Sequence, residues 1–432
     1  MKFLKSDRPP TNRPKEKKVT TTLSRLTRQY PALPPAIVMK TALLSIGVHF
    51  DPLMVEAART ALPDFRPHTL PDGSKVQVPY LMKLENGSLV RLRCSEESPF
   101  TIKHQGGLSF LLLDEGAPFI QFSFANRPVW HDQTASDGTP LNACGLNQHG
   151  DMMVLNLTPA CEYWSTPRNE SNLSDIRNKR SYRCAFCGYG LPDERSRALG
   201  QKEGEATIPP LSMKHAAEAV SKGIEAGARH LYLTGGSMLD PELEADRYLS
   251  IVSGLRDVAK DVYLAVGSQA LPPSRLKELK AAGADGVCFN LEVWDRKVWQ
   301  YVCPGKSKFF TRDMWENSLV EAVSVFGKTN VHTAFVIGAE MVFDNALKDT
   351  ETALRSNLEG ARWLLSRDIH PILSLFWPFV GTDMEGAAGP DLHFLLRLFS
   401  GVHELRLELN KPFPGNLACK RCLYMQVEGD FE

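Results

Sequence analysis

The chain of 432 residues is long enough for one large enzyme core with a smaller appended domain. Its 43% hydrophobic and 23% charged residues are those of an ordinary soluble globular protein, and fifty basic against fifty acidic side chains leave no net charge. That balance gives no support for a whole-chain nucleic-acid binder or a protein held on a membrane by charge. No apolar run reaches the ~20 residues of a membrane span, and the start MKFLKSDRPP lacks a signal-peptide core. Nine cysteines, spread from Cys94 to Cys422, are too sparse for a stapled secreted domain. They read as reduced cytoplasmic thiols, some of them ligating a metal or cluster.

Residues 1–30 carry nine Lys/Arg against two acids and three prolines, and read as a basic, disordered arm. A nucleic-acid or partner-binding tail is the alternative there. A helical pattern over Ala36–Leu62 follows. Short segments of strand character come next, at Lys75–Leu81, Ser88–Cys94, Leu108–Leu113 and Phe119–Phe124, separated by Asp/Asn/Gly turn signals. Residues 31–150 therefore read as a small β-rich α+β domain, closed by a polar loop over Asp132–Gly150.

From Asp151 the pattern changes to alternating strands and helices. Candidate strands are Met152–Leu157, His230–Thr234, Val262–Val266, Gly286–Leu291, Val331–Ile337 and Pro371–Phe376. Helical faces are carried by Met213, Ala217, Val220 and Ile224, then by Trp315, Leu319, Ala322 and Phe326, then by Leu347, Thr350, Leu354, Leu358 and Ala361. Repeated β-α units give a parallel sheet with right-handed crossovers, either doubly wound or a partial α/β barrel. In both, chemistry belongs at the C-terminal ends of the strands.

The first of these strands runs into Cys161, and Cys184-Ala-Phe-Cys187 follows. Three thiolates at a strand end could hold a 4Fe–4S cluster by three irons and leave the fourth open. Zinc is the alternative, with Cys184 and Cys187 paired to Cys419 and Cys422 in a four-cysteine site. The later strands end in Gly235-Gly236-Ser237, in Asn290-Leu291-Glu292 and in Val336-Ile337-Gly338. These place exposed backbone, an amide and a carboxylate, and a glycine at the same end of successive strands.

Over residues 151–389 the chain resembles the radical SAM superfamily, including the aromatic Phe186 before the last cysteine. The runs from Ala284 to Glu292, Cys303-Pro304-Gly305-Lys306 and Pro371 to Pro378 are similar to the biotin synthase and lipoyl synthase branch. The resemblance implies a partial (β/α)6 TIM-type barrel, with residues 390–432 as a C-terminal segment. It implies a 4Fe–4S cluster on Cys161, Cys184 and Cys187, and S-adenosylmethionine beside it. Gly235, Gly236 and Ser237 would meet the methionine amine, with Ser268 and Arg312 as further candidates for the methionine end. Asn290 and Glu292 would address the ribose, and Phe186, Val336 and Ile337 the adenine. One departure is plain: twenty-two residues, Glu162–Arg183, separate the first two cysteines where the usual motif has three. Cys144 is accordingly an alternative first ligand.

The implied activity is reductive cleavage of S-adenosylmethionine to a 5′-deoxyadenosyl radical that takes hydrogen from a small-molecule or peptide substrate. A flavodoxin or ferredoxin would supply the electron. Transfer of an aminocarboxypropyl or methyl group is the variant, and a zinc-stabilised RNA- or partner-binding protein is the reading from another class. The long polar insert reads as a lid or substrate-contact loop. Cys419 and Cys422 are expected in a loop across the barrel mouth as catalytic thiols that quench a product radical, or as ligands of a second cluster or zinc.

Overall fold

Gly47 divides what the pattern presents as one helix. The computed structural model describes residues 22–61, 66–69, 75–78, 81–156, 161–166, 181–189, 212–379, 381–417, 419 and 422–431. After a short helix α1 (Leu23–Gln29), α2 (Pro35–Ile46) stops at Gly47, whose φ is +84°. A Cβ there would stand 2.6 Å from the Arg93 carbonyl oxygen, so the position takes no larger residue. The chain turns into β1 (His49–Phe50), and α3 (Pro52–Ala61) starts afresh. Asp51 accepts from the Leu53 N–H and Pro52 opens the first turn.

The amino-terminal part then contains a hairpin, β2 (Arg66–Thr69) and β3 (Lys75–Val78), followed by β4 (Leu81–Lys83), β5 (Leu89–Arg91), β6 (Phe100–Gly106), β7 (Ser109–Asp114) and β8 (Ala117–Phe124). Five of these join β1 in a sheet of order β1-β6-β7-β8-β4-β5. The expected strand Lys75–Leu81 is two strands, and β6 is absent from the sequence reading.

The second sheet has seven strands. β9 (Leu146–His149) is antiparallel to β10 (Met152–Asn156), and β11 (His230–Thr234), β12 (Tyr263–Ser268), β13 (Gly286–Phe289), β14 (Val331–Ile337) and β15 (His370–Leu375) follow in parallel order. Helices α5 (Met213–Glu225), α6 (Pro241–Arg256), α7 (Pro273–Ala281), α10 (Arg312–Phe326) and α11 (Thr350–Leu365) lie in the crossovers. The short helices α4 (Glu162–Ser165), α8 (Arg296–Val302) and α9 (Pro304–Phe309) stand at strand ends, and α12 (Leu392–Glu408) follows β15. Ser212, Asp240, Asp295, Thr311, Asp349 and Asp391 each cap a helix by accepting backbone N–H groups, contacts worth about 1 kcal/mol apiece. Leu347 precedes the Asp349 cap and lies outside its expected helix. On α5 the buried stripe is Ala216, Ala219, Val220 and Gly223, rotated from the expected one, because Met153 packs onto Gly223.

Strand residues alternate between the helix layer and a lumen. Leu231, Leu233, Leu264, Val266, Val287 and Phe289 are fully buried under helices. Ala265, Cys288, Ala334 and Ile372 face inward, where Leu417 of the C-terminal segment packs among them. The sheet is a partial barrel. Its open side, between β9 and β15, is covered by residues 422–431: the Leu373 N–H on the free edge of β15 donates to Glu428, and Gln426 donates to Ser374 Oγ at 2.8 Å. Lys40 of α2, fully buried, ties this cover to the amino-terminal part through Asp430 at 2.6 Å and the Leu423 carbonyl at 2.9 Å. No helix among the described residues is long and apolar enough to cross a membrane.

Candidate active site at the strand ends

β10 delivers the chain to the barrel mouth, where Cys161 caps the single-turn helix α4. Glu162 N–H donates to the Ser237 carbonyl at 2.8 Å, which locks this turn onto the Gly235-Gly236-Ser237 loop after β11. Arg247 donates to the Gly236 carbonyl at 2.8 Å from α6. Residues 181–189 return to the same place. Arg183 lies over the Trp164 ring at 4.4 Å and forms a buried ion pair with Asp383. Ala185 N–H donates to Val302 O at 2.8 Å, and Asp383 N–H donates to Ala185 O at 3.0 Å. Cys184 and Cys187 are thereby held by three separate elements.

The three cysteines meet electrostatically. Burial, then the neighbouring Cys184, pushes the Cys161 thiol up to about 11, although N–H groups of Ser237, Tyr163 and Trp164 favour its thiolate. Burial, then Cys184 and Cys161, pushes Cys187 to about 12, while the Tyr189 N–H, 3.4 Å from its sulfur, acts the other way. Cys184 is raised too, by its hydrogen bond with Cys303 and by burial, and Lys306 opposes this. Three half-buried thiols with backbone donors aimed at two of them are costly as bare thiolates. A bound group of positive irons would remove that cost. The donor set fits a 4Fe–4S cluster, a cofactor the computed structure does not carry.

Around the thiols stand residues that sequence reasoning missed or left without a role. Lys306 is buried, 2.8 Å from Glu292 and 2.6 Å from the Asn290 carbonyl. Burial alone would depress its pKa, but Glu292, Cys184 and Cys303 together raise it, so it stays a cation. Gly305 gives Lys306 its approach: a Cβ there would meet Tyr182 O at 2.6 Å and the Tyr163 ring at 2.7 Å. Tyr163 donates to Gln269 at 2.8 Å, and the Tyr189 hydroxyl donates to Asn156 at the end of β10. Within the lumen Tyr232 stands over Gly267, where a Cβ would collide with its hydroxyl.

The remaining candidates fall in different surroundings. Glu292 adopts a left-handed backbone, φ +70°, and pairs with β14 on both its N–H and its carbonyl. Asn290 Oδ1 accepts from Cys288 at 3.1 Å and from Ala334 N–H at 3.2 Å, leaving its amide nitrogen for a ligand. Phe186 is half-buried, and Val336, also half-buried, shares the face of Ala334 toward the lumen. Ile337 points the opposite way and is fully buried, so its side chain presents no surface to a ligand. Ser268 turns its hydroxyl to the Gln269 carbonyl at 2.7 Å. Arg312 is buried between Trp294 and Trp299, with Glu316 and the Val293 carbonyl as partners at 2.8 and 2.9 Å. Ser268 and Arg312 thus have internal partners. Cys144 lies under α5 with its thiol toward Pro140 O, and the charges that act on it are Asp137 and Glu218. Most of the insert, 167–180, lies outside the described residues, and so does the lid expectation placed on it.

Cys419 and Cys422 are elsewhere. The Cys419 N–H donates to Asp151 Oδ1 at 3.3 Å, at the N-terminal end of β10, whereas Cys161 follows its C-terminal end. A five-residue strand separates the two places by about 16 Å. The expectation of a segment across the mouth is corrected, because Leu417 in the lumen and Glu428 on β15 fix this segment to the bottom and side of the barrel. The four-cysteine zinc pairing fails for the same reason. The two residues are also joined as a disulfide, where free thiols were expected.

No family model matches the chain. It is similar to the bacteriochlorophyllide c C-7(1)-hydroxylase of Chlorobaculum limnaeum at 24% identity over 324 residues, which span 70% of this chain and 73% of that protein. Solved structures similar to it include methylornithine synthase, with 18% identity and a TM-score of 0.37 over 62% of this chain and 73% of that one. Coproporphyrinogen III oxidase from Escherichia coli gives 11%, 0.37, 66% and 58% in the same order. A radical SAM methyltransferase from Sphaerobacter thermophilus gives 12%, 0.39, 94% and 98%. These superpositions are too loose to carry an argument.

Proposed function

We propose that this chain is a radical SAM enzyme, which cleaves S-adenosylmethionine reductively and removes a hydrogen atom from an unactivated carbon of its substrate. The observation behind this reading is the convergence of Cys161, Cys184 and Cys187 beside the Gly235-Gly236-Ser237 loop, with Lys306 and Glu292 on the adjoining strand end. When bound, a 4Fe–4S cluster supplies the electron that breaks the sulfonium C5′–S bond and so yields a 5′-deoxyadenosyl radical.

The chain's own residues do the rest. Cys161, Cys184 and Cys187 would hold three irons and leave one for the methionine amine and carboxylate. The glycine loop exposes backbone where the amine would lie. Lys306 occupies one Glu292 oxygen and so orients the other toward ribose hydroxyls, with the Asn290 amide beside it. Val336 offers an apolar lumen surface to the adenine. The Tyr163, Trp164 and Phe309 rings exclude water behind the cysteines; Tyr163 and Phe309 stack at 5.9 Å. A flavodoxin or ferredoxin would deliver the electron.

The relative's name makes a bacteriochlorophyllide macrocycle the first substrate to assay, ahead of other small molecules and peptides. The test is incubation of anaerobic, iron-loaded enzyme with S-adenosylmethionine, reductant and substrate deuterated at the candidate carbon. Deuterium in 5′-deoxyadenosine supports hydrogen abstraction. A product carrying a methyl or aminocarboxypropyl group, with no deuterium transfer, assigns the group-transfer chemistry in its place.

A further inference from the structure

We propose that Cys419, Cys422 and Asp151, with His230 as the fourth donor, form a structural zinc site at the bottom of the barrel, remote from the three cysteines at its mouth. The oxygen of Asp151 and the two sulfurs all lie within 4.8 Å of one another. His230 Nδ1 stands 3.3 Å from Asp151 Oδ2, is buried and has no hydrogen bond; it lies outside that group of three, so a rotation of its ring brings it in as the fourth donor. Two thiolates, a carboxylate and an imidazole are a donor set that zinc takes in tetrahedral geometry.

The surroundings are built for a close approach. Gly150, at φ +60°, would place a Cβ 2.7 Å from Cys422 Sγ, so only glycine admits the sulfur there. Met152, Phe413 and Leu423 wall the place with apolar surface. Zinc here would join the C-terminal segment, which covers the barrel's open side, to the start of the first parallel strand. Metal binding becomes folding free energy in such a site.

The disulfide is the oxidised form of the same place. A dithiol reductant gives two electrons and two protons to the Cys419–Cys422 bond and itself becomes a disulfide. Zinc then binds both sulfurs and displaces their two protons to solvent.

The test uses the full-length enzyme, purified anaerobically with a dithiol and given zinc alone, then desalted. The site predicts one tightly held zinc per chain, and an X-ray absorption spectrum at the zinc edge with two sulfurs at about 2.3 Å and two nitrogen or oxygen neighbours at about 2.0–2.1 Å. Cys422→Ser, and independently Asp151→Asn, should lower zinc retention tenfold or more while iron content and circular dichroism stay unchanged. Zinc that is not retained by the reduced enzyme would overturn the proposal, and so would a zinc spectrum with three or four sulfurs. Loss of iron in Cys422→Ser would overturn it too, since the pair would then belong to the cluster. Should Cys422→Ser fail to fold, zinc retention in Asp151→Asn and the zinc-edge spectrum of the parent enzyme decide.

Discussion

Lys306 Nζ lies 2.8 Å from Glu292 Oε1, and both side chains are about nine-tenths buried between Cys184 and the end of β13. Removing one partner strands a charge. Lys306→Met should therefore cost about 3–5 kcal/mol in stability, because Glu292 is left buried and unpaired. Adding Glu292→Gln to Lys306→Met should restore part of that loss. Urea unfolding of the two single variants and the double variant measures the coupling.

Glu292→Gln alone should weaken S-adenosylmethionine binding roughly tenfold or more, the worth of about 1.5–3 kcal/mol for hydrogen bonds to a charged acceptor. Iron content should be that of the parent. An equilibrium titration that finds unchanged affinity at normal iron content would remove Glu292 from the ribose site.

Cys161→Ala, Cys184→Ala and Cys187→Ala should each lose the iron, and Cys144→Ala should keep it. Iron analysis and the visible absorption of anaerobic protein read this out. Retention of iron by Cys161→Ala would place the first ligand elsewhere.

Gly305→Ala should lower iron loading severalfold while the barrel stays folded. The added methyl group meets the Tyr182 carbonyl, a backbone atom two residues before Cys184, and cannot be accommodated by a side-chain rotation. Near-normal circular dichroism with reduced iron is the expected result.

His370 should make the fold acid-sensitive. Burial, and then Arg406, hold it down to about 4; Nε2–H donates to the Lys328 carbonyl at 2.9 Å, and Nδ1 faces Arg406 Nη1 at 3.3 Å. Its unfolded value is about 6.5. Between these values the unfolded chain binds the extra proton, so stability is full above pH 6.5 and falls as pH drops toward 4. His332, beside it, is lowered in the same direction by burial. Urea midpoints measured across that window should fall less steeply in His370→Gln.

The parallel strands were legible because each is an apolar run bounded by turn residues, and His230–Thr234 and Val331–Ile337 match the sequence reading residue for residue. β9 was not legible. Leu146 is its only apolar residue, and its polar Gln148 is buried by accepting from the Trp130 indole at 2.7 Å, a long-range contact no periodicity reveals. The mouth residues Cys161, Gly236 and Glu292 could be found because strand ends are fixed by local pattern. The place of Cys419 and Cys422 could not, since it depends on Lys40, Glu428 and Asp430. These charges read as surface groups in one dimension and are buried partners in three. Lys306 was visible in its motif, but its role depends on Glu292, fourteen residues earlier.

The most direct test of the central claim is the product formed from S-adenosylmethionine by anaerobic, iron-loaded enzyme with dithionite. The account predicts 5′-deoxyadenosine and methionine in equal amounts, and none from Cys184→Ala. Methylthioadenosine in place of 5′-deoxyadenosine, or intact S-adenosylmethionine from fully loaded enzyme, would contradict it.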